Sequence, residues 1–290
     1  MVRCVAVLVA LSLLGSARAA SAQLDPLEVQ KVRPNLFLLN GGSPGAATTV
    51  VFVRSKDVVI IDTKGPRPVW GEVIAAEVKR LTKLPITTII NTDGDGDKVA
   101  GNIALVNSRM EIVSQERAAT DMRKMTMMFT TPAGLPTRTF KDRLTLGSGP
   151  DRIELYYLGA GHCHADTFVV IPALRILLTG SAFGGKSLPA LVRPNGGNGV
   201  AYPETLTKAL ALTREVDTLI TSRGGLAKPK DLEVHRDFMR DFLESARQAK
   251  KAGRTAAEAA KAWRVPPRYV GYTAGKWVSG SMEWIYRQLP

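Results

Sequence analysis

Residues 85–102 read PITTIINT and then DGDGDKVAGN. The first part is a short apolar run rich in Ile and Thr, the pattern of a buried strand. That strand delivers Asp93, Asp95, Asp97 and Lys98 onto one short loop. Like charges so close repel, and each is costly to bury. The chain must therefore hold an interior strand whose end opens where carboxylates are compensated by a bound cation, by basic residues or by water.

The segments around this loop set the fold class. NLFLLNG, TTVVFVRS and DVVIIDT read as three short strands, and RPVWGEVIAAEVKRLTK as an amphipathic helix. After the acidic loop, KVAGNIALVNS starts a helix or turn, MEIVSQ a strand and ERAATDMRKMTMMF a helix. TRTFKDRLTLGSGPDRIELYYLGAG reads as a β-hairpin running into a further strand, and DTFVVIPALRILLTGSAF as a strand pair with a Pro-Ala turn. PETLTKALALTREV is a helix, DTLITSRGG a strand with its loop, and LEVHRDFMRDFLESARQAKKAG and TAAEAAKAW are helices. Strands lead in both halves and helices close each. That order fits an α+β chain, an αββα sandwich of two mixed β-sheets face to face with helices on both outer sides, better than a doubly wound parallel sheet. The loops at 91–102, 160–167, 180–184 and 222–225 then converge on one site.

The first residues read differently. Residues 1–22 have a basic start, an apolar stretch of about a dozen residues and Ala20-Ser21-Ala22 before Gln23. The stretch is short of the roughly 20 residues that a membrane span needs. It reads as a signal peptide, with residues 23–290 forming one domain that ends in a helical tail from about 231. The expected location is outside the cytoplasm, periplasmic or secreted. No later stretch is apolar and long enough to span a membrane. Cleavage leaves Cys163 as the one thiol, so no intrachain disulfide staples the fold.

The formal charge is +13. The basic residues are scattered, without the aromatic-interleaved stripe or motif of a nucleic-acid binder. They read as a solvated surface, and the expected partner is a small molecule, of anionic character if the basic residues take part.

Several fragments share a frame with one family. Asp62 ends a strand; Thr92-Asp93-Gly94-Asp95-Gly96-Asp97-Lys98 is followed by Gly101-Asn102; Gly161-His162-Cys163-His164-Ala165-Asp166-Thr167 follows a strand; Ser181 ends ILLTGS; and Ser222-Arg223 follows a last short strand. In this frame the chain, from about Asn35 onward, resembles the metallo-β-lactamase superfamily. The resemblance implies hydrolase ancestry, with water attacking an ester, amide, lactam or thioester carbonyl. It also implies histidine and aspartate ligands for one or two zinc ions, which generate a hydroxide nucleophile. By that resemblance Asp93 and Asp95 replace two ligand histidines of the first metal site, and His162 is its third ligand. Asp97 belongs to the second site, whose histidine is Lys98, whose bridging acid is Ser181 and whose last histidine is Arg223. The chain has only three histidines, His162, His164 and His235, too few for a His-rich dinuclear centre.

Three readings of the loop stay open. In the first, Lys98 and Arg223 replace metal ions as fixed charges paired with Asp93, Asp95 or Asp97. Zinc hydrolysis is then impaired or lost, and the protein becomes a binding protein for an anionic ligand. In the second, Asp93, Asp95 and His162 hold one divalent metal. Such a set suits Mn²⁺, Fe²⁺, Mg²⁺ or a weakly held Zn²⁺, with Asp97 as base and His162 as the surviving catalytic ligand. Cys163 or His164 would assist, against the plainer reading of Cys163 as a buried apolar filler. The third is a calcium loop, but Lys98 stands where an EF-hand has Gly and Ala104 where it has Glu. Met122, Met125, Met127 and Met128 read as core or as an apolar lip over the cleft rather than a copper site. The Gly-rich stretch 184–199 lacks the P-loop frame. It is expected to border the cleft, with Lys186 and Arg193 adding positive charge. His235 sits in a helical pattern as a surface or packing residue.

Overall fold

In the computed structural model, described for residues 25–42, 46–128, 131–191, 194–223 and 225–290, the strands form two sheets. The first is ordered β1 (Leu27–Arg33), β2 (Leu36–Gly41), β3 (Thr49–Val53), β4 (Val58–Ile61), β5 (Ile86–Asn91), β6 (Glu111–Gln115), β7 (Arg138–Phe140). The second runs from β13 (Gly225–Ala227) through β12 (Thr218–Thr221), β11 (Ile176–Leu178), β10 (Thr167–Ile171) and β9 (Ile153–Tyr157) to β8 (Arg143–Leu146). Both sheets are mixed: β4, β5, β6 and β7 are parallel in the first and β11 and β12 in the second, while the remaining pairs are antiparallel. Residues 1–22, read as a signal peptide, and Arg193 lie outside the described residues.

The strands explain why their sequences are apolar at consecutive positions. Leu36, Leu38, Val59, Ile61 and Ile90 point between the sheets, where they meet Val169, Ile171, Ile176, Leu178 and Ile220 of the second sheet. Their neighbours Leu39, Val58, Ile60 and Ile89 point outward onto Ile74 and Val78 of helix α1 (Trp70–Leu81). Phe168, Leu177 and Leu219 point outward from the second sheet. They meet α5 (Tyr202–Leu210) and α6 (Pro229–Lys251), whose partners are α7 (Ala256–Ala262) and α8 (Val278–Gln288). Strands covered on both faces read as continuous apolar runs rather than as alternation. Helices therefore lie on both outer faces of the sheet pair.

Three details differ from the sequence reading. TRTFKDRL is not a hairpin: β7 pairs in parallel with β6, and β8 pairs with β9 in the other sheet. The chain changes sheets between Phe140 and Arg143, and a local strand–turn–strand pattern does not report which sheet each arm joins. The segment from 231 onward is no appendage: Phe238, Phe242, Met282 and Ile285 belong to the same buried cluster as Phe168. The strand β1 was missed, because its alternation breaks where the register shifts between Lys31 and Arg33, while α8 lies in the tail expected to be helical.

Candidate functional site

The acidic loop emerges from the end of β5 and contains α2 (Gly96–Val99), α3 (Asn102–Leu105) following; β6 then leads to α4 (Glu116–Lys124). It is pressed against the chain leaving β4. A Cβ on Gly101 would stand 2.2 Å from the Thr63 carbonyl oxygen, and one on Gly65 would stand 1.9 Å from that of Gly96. Only glycine permits that approach. A buried polar network locks the contact. Asn102 donates to Asn91 Oδ1 at 2.8 Å and to the Gly134 carbonyl at 3.1 Å, and accepts from Thr63 Oγ1 at 2.8 Å. Next to it, Asp62 accepts from the backbone N–H and the hydroxyl of Thr92 at 2.8 and 2.7 Å.

The loops expected to converge do so. Asp93 is fully buried and accepts a 2.6 Å hydrogen bond from Ser181 Oγ. Its other oxygen accepts from the Asp95 backbone N–H at 2.9 Å. Asp95 accepts from Asn195 Nδ2, and its second oxygen lies 3.8 Å from His162 Nδ1. Asp97 is salt-bridged by Arg223, and Lys98 Nζ, fully buried, lies 3.5 Å from the same oxygen. Ligand atoms of Asp93, Asp95 and His162 all lie within 4.8 Å of one another.

Here Asp62, Asp93, Asp95, Asp97 and Asp166 face Lys98 and Arg223, so carboxylates outnumber cations. Their proton affinities follow. Burial, then Asp93 and Asp97, pushes Asp95 up to about 8 against the Asn195 hydrogen bond and Lys98. Burial and Asp93 push Asp62 up to about 7 against Lys98. Burial and Asp93 raise Asp166 to about 6 against His162. Burial also works to raise Asp97, but Lys98 and Arg223 outweigh it and hold that carboxyl below its ordinary range.

Other candidates fall elsewhere. His164 turns to Asp121 of α4, with Nε2 2.6 Å from Oδ2. Cys163 is buried, in an apolar cluster with Ala118 and Ala165, but its Sγ also donates to Asp166 Oδ1 at 3.2 Å. It is more than a filler. Met122 is core, Met125 and Met128 pack on it, and Met127 is 98% exposed. His235 is not at the surface: it is 1% exposed and stacks on Phe183 with ring centroids 4.7 Å apart.

Above the acids opens a cleft of about 540 Å³, lined among others by His162, Ser181, Lys186, Arg223, Lys276 and Trp277. Lys186 is there as expected, held 3.4 Å from Asp231. Asn195, Lys276 and Trp277 were missed. Asn195 lies in the Gly-rich stretch that pointed to the cleft. Lys276 and Trp277 are brought in by the chain before α8 and carry no sequence signal.

Lys98 and Arg223 stand beside Asp97, and two cations there do not suit a metal held by that carboxylate. A single cation fits Asp93, Asp95 and His162, since His162 Nδ1 is buried with no hydrogen-bond partner and faces two carboxylates.

Comparison with known proteins bears on the ancestry of this arrangement. A metallo-β-lactamase type 2 of Bacteroides fragilis is 22% identical over 162 residues, 55% of this chain and 62% of that protein, so the chain spans less than two thirds of this relative. The crystal structure of the DIM-1 metallo-β-lactamase superposes with a TM-score of 0.65 at 18% identity, covering 76% of this chain and 99% of that one. A sec-alkylsulfatase from a Pseudomonas species, Pisa1, superposes with a TM-score of 0.77 at 14% identity, covering 90% of this chain and 50% of that one. Residues 42–223, more than half of the chain, match the metallo-β-lactamase superfamily, and the chain belongs to that superfamily of hydrolase fold.

Proposed function

We propose that this is an exported metallo-β-lactamase-fold protein in which two-metal hydrolysis is lost and the cleft binds a small anionic molecule. One observation carries the reading: Asp97 is paired with both Arg223 and Lys98, so protein cations stand where the resemblance puts the second metal. Lys276 adds a further charge to the cleft and has no carboxylate partner among the described residues; its Nζ lies over the Trp277 ring, 4.9 Å from the centroid. Trp277 offers an apolar face beside these cations, and the likeness to an alkylsulfatase adds sulfate esters to the anions that merit testing.

A second reading is favoured by the unpartnered His162 Nδ1. Asp93, Asp95 and His162 would hold one Mn²⁺, Fe²⁺ or Zn²⁺, which would supply Lewis acidity and an activated water. In that case Arg223 and Lys276 would anchor an anionic substrate, and Asp97 would serve as a fixed acceptor beside it.

Elemental analysis of the purified chain, followed by equilibrium dialysis against these metals and thermal-shift screening with sulfate, phosphate and carboxylate compounds, separates the two. The first reading expects anion-dependent stabilisation that is lost in Arg223→Ala and Lys276→Ala, and no two-metal stoichiometry. Two equivalents of tightly bound zinc would overturn it. One equivalent lost both in Asp93→Asn and in His162→Ala, together with turnover of an ester, would establish the second.

A further inference from the structure

The buried thiol beside His162, a helper or a filler by the sequence alone, has the geometry of a ligand. Cys163 is 1% exposed, and its Sγ lies 3.2 Å from Asp166 Oδ1. The same oxygen lies 3.7 Å from His162 Nδ1. One ligand atom from each of His162, Cys163 and Asp166 lies within 4.8 Å of the other two. A tetrahedral zinc with bonds of about 2.0 to 2.3 Å separates its ligands by roughly 3.3 to 3.8 Å, which brackets the imidazole–carboxylate distance and nearly reaches the thiol–carboxylate one. The independent sign of a missing partner is His162 Nδ1, which is buried without a hydrogen bond. An orphaned buried nitrogen is costly unless something binds it.

We propose that His162, Cys163 and Asp166 form a site for one soft or borderline divalent cation, of the Zn²⁺ and Cd²⁺ kind, separate from the Asp93 and Asp95 carboxylates. The two donor sets share His162 but differ in hardness. Asp93 and Asp95 offer oxygen alone, whereas a thiolate selects softer ions. Binding forms a metal–sulfur bond and releases the thiol proton to solvent. The cation reaches the site through the cleft, whose wall includes His162. The surrounding excess of carboxylates favours its positive charge.

The test uses the full chain with Cys4→Ser, so that Cys163 is the only thiol, titrated with Cd²⁺ and Co²⁺. The expected result is one equivalent bound with a thiolate-to-metal charge-transfer band. Cys163→Ser and His162→Ala lose the band and about tenfold or more in Cd²⁺ affinity, while Asp93→Asn keeps both. Protection of Cys163 from alkylation by Cd²⁺ reads the same site without a variant at the thiol. One equivalent bound with no thiolate band, and lost in Asp93→Asn, would place the cation on the carboxylates; it would overturn the thiol site and leave the one-metal reading standing. No binding of either ion would overturn the thiol site, and the dialysis against Mn²⁺, Fe²⁺ and Zn²⁺ then decides the one-metal reading by itself.

Discussion

Lys98 is a cation set among buried carboxylates. It is fully buried, its Nζ makes no hydrogen bond, and the nearest carboxylate oxygen is that of Asp97 at 3.5 Å. Removing one partner of a buried pair strands the other charge, which costs about 3 to 5 kcal/mol. Lys98→Met is expected to lower stability by about 3 kcal/mol in urea unfolding, the low end because Arg223 still holds Asp97. Unchanged stability would mean that Lys98 does not compensate the acids. His235 is a second buried titratable group. Its neighbours are aromatic, among them Phe183, Phe238 and Tyr272, and burial pushes its pKa down to about 3. The folded ring stays neutral while the unfolded one takes up a proton below about 6.5. Stability present above that pH is therefore lost as pH falls toward 3. Between pH 7 and 4 the native protein should lose about 3 kcal/mol more than His235→Leu does, read by denaturant unfolding at each pH.

At the scale of the element, the acidic loop was legible as a loop at the end of a buried strand. Its apolar strand, its run of aspartates and the following Gly-Asn sit together in the chain. What the sequence did not show is the clamp that places it. Gly101 stands against the Thr63 carbonyl, and Asn102 bridges Asn91, Thr63 and Gly134, contacts across 11 to 39 positions of chain. Gly101→Ala would drive a Cβ to 2.2 Å from a backbone oxygen, which backbone must yield to relieve. It is expected to cost about 1 to 3 kcal/mol and to disturb the acids. Thermal unfolding with and without Cd²⁺ would report both effects, and a fully native melting profile would show that the close approach is dispensable. The misread hairpin belongs at this scale too. The pattern around Phe140 and Arg143 is strand-like on both sides, but it holds no record of partner.

For the whole molecule, the two faces of each sheet decide what is indispensable. Phe168, Leu177 and Leu219 are buried in one cluster with α5 and with the helices and turns from Pro229 onward, which supply most of its aromatic side chains. A chain ending at Lys228 is expected to be insoluble or to bind a hydrophobic dye strongly, since a large apolar sheet face would meet water. A soluble, cooperatively melting fragment would show instead that these helices are separable. The same C-terminal chain supplies Lys276 and Trp277 to the cleft, so cover and site are built by one segment.

The sequence by itself determined the layered α+β architecture, because strands covered on both faces must be apolar at consecutive positions. It also pointed to Asp93, Asp95, Asp97, Lys98, His162, Ser181 and Arg223 as neighbours in space, since they stand in local motifs with fixed spacing. Only the tertiary structure decided which charges meet: that Arg223 and Lys98 share Asp97, that Ser181 holds Asp93, and that Asn195 reaches Asp95. It alone separated His164 from the site and left His162 Nδ1 facing the Asp95 and Asp166 carboxylates. Periodicity reports burial along an element, whereas pairing between residues far apart in the chain depends on how loops from different strands converge, and no local pattern encodes that.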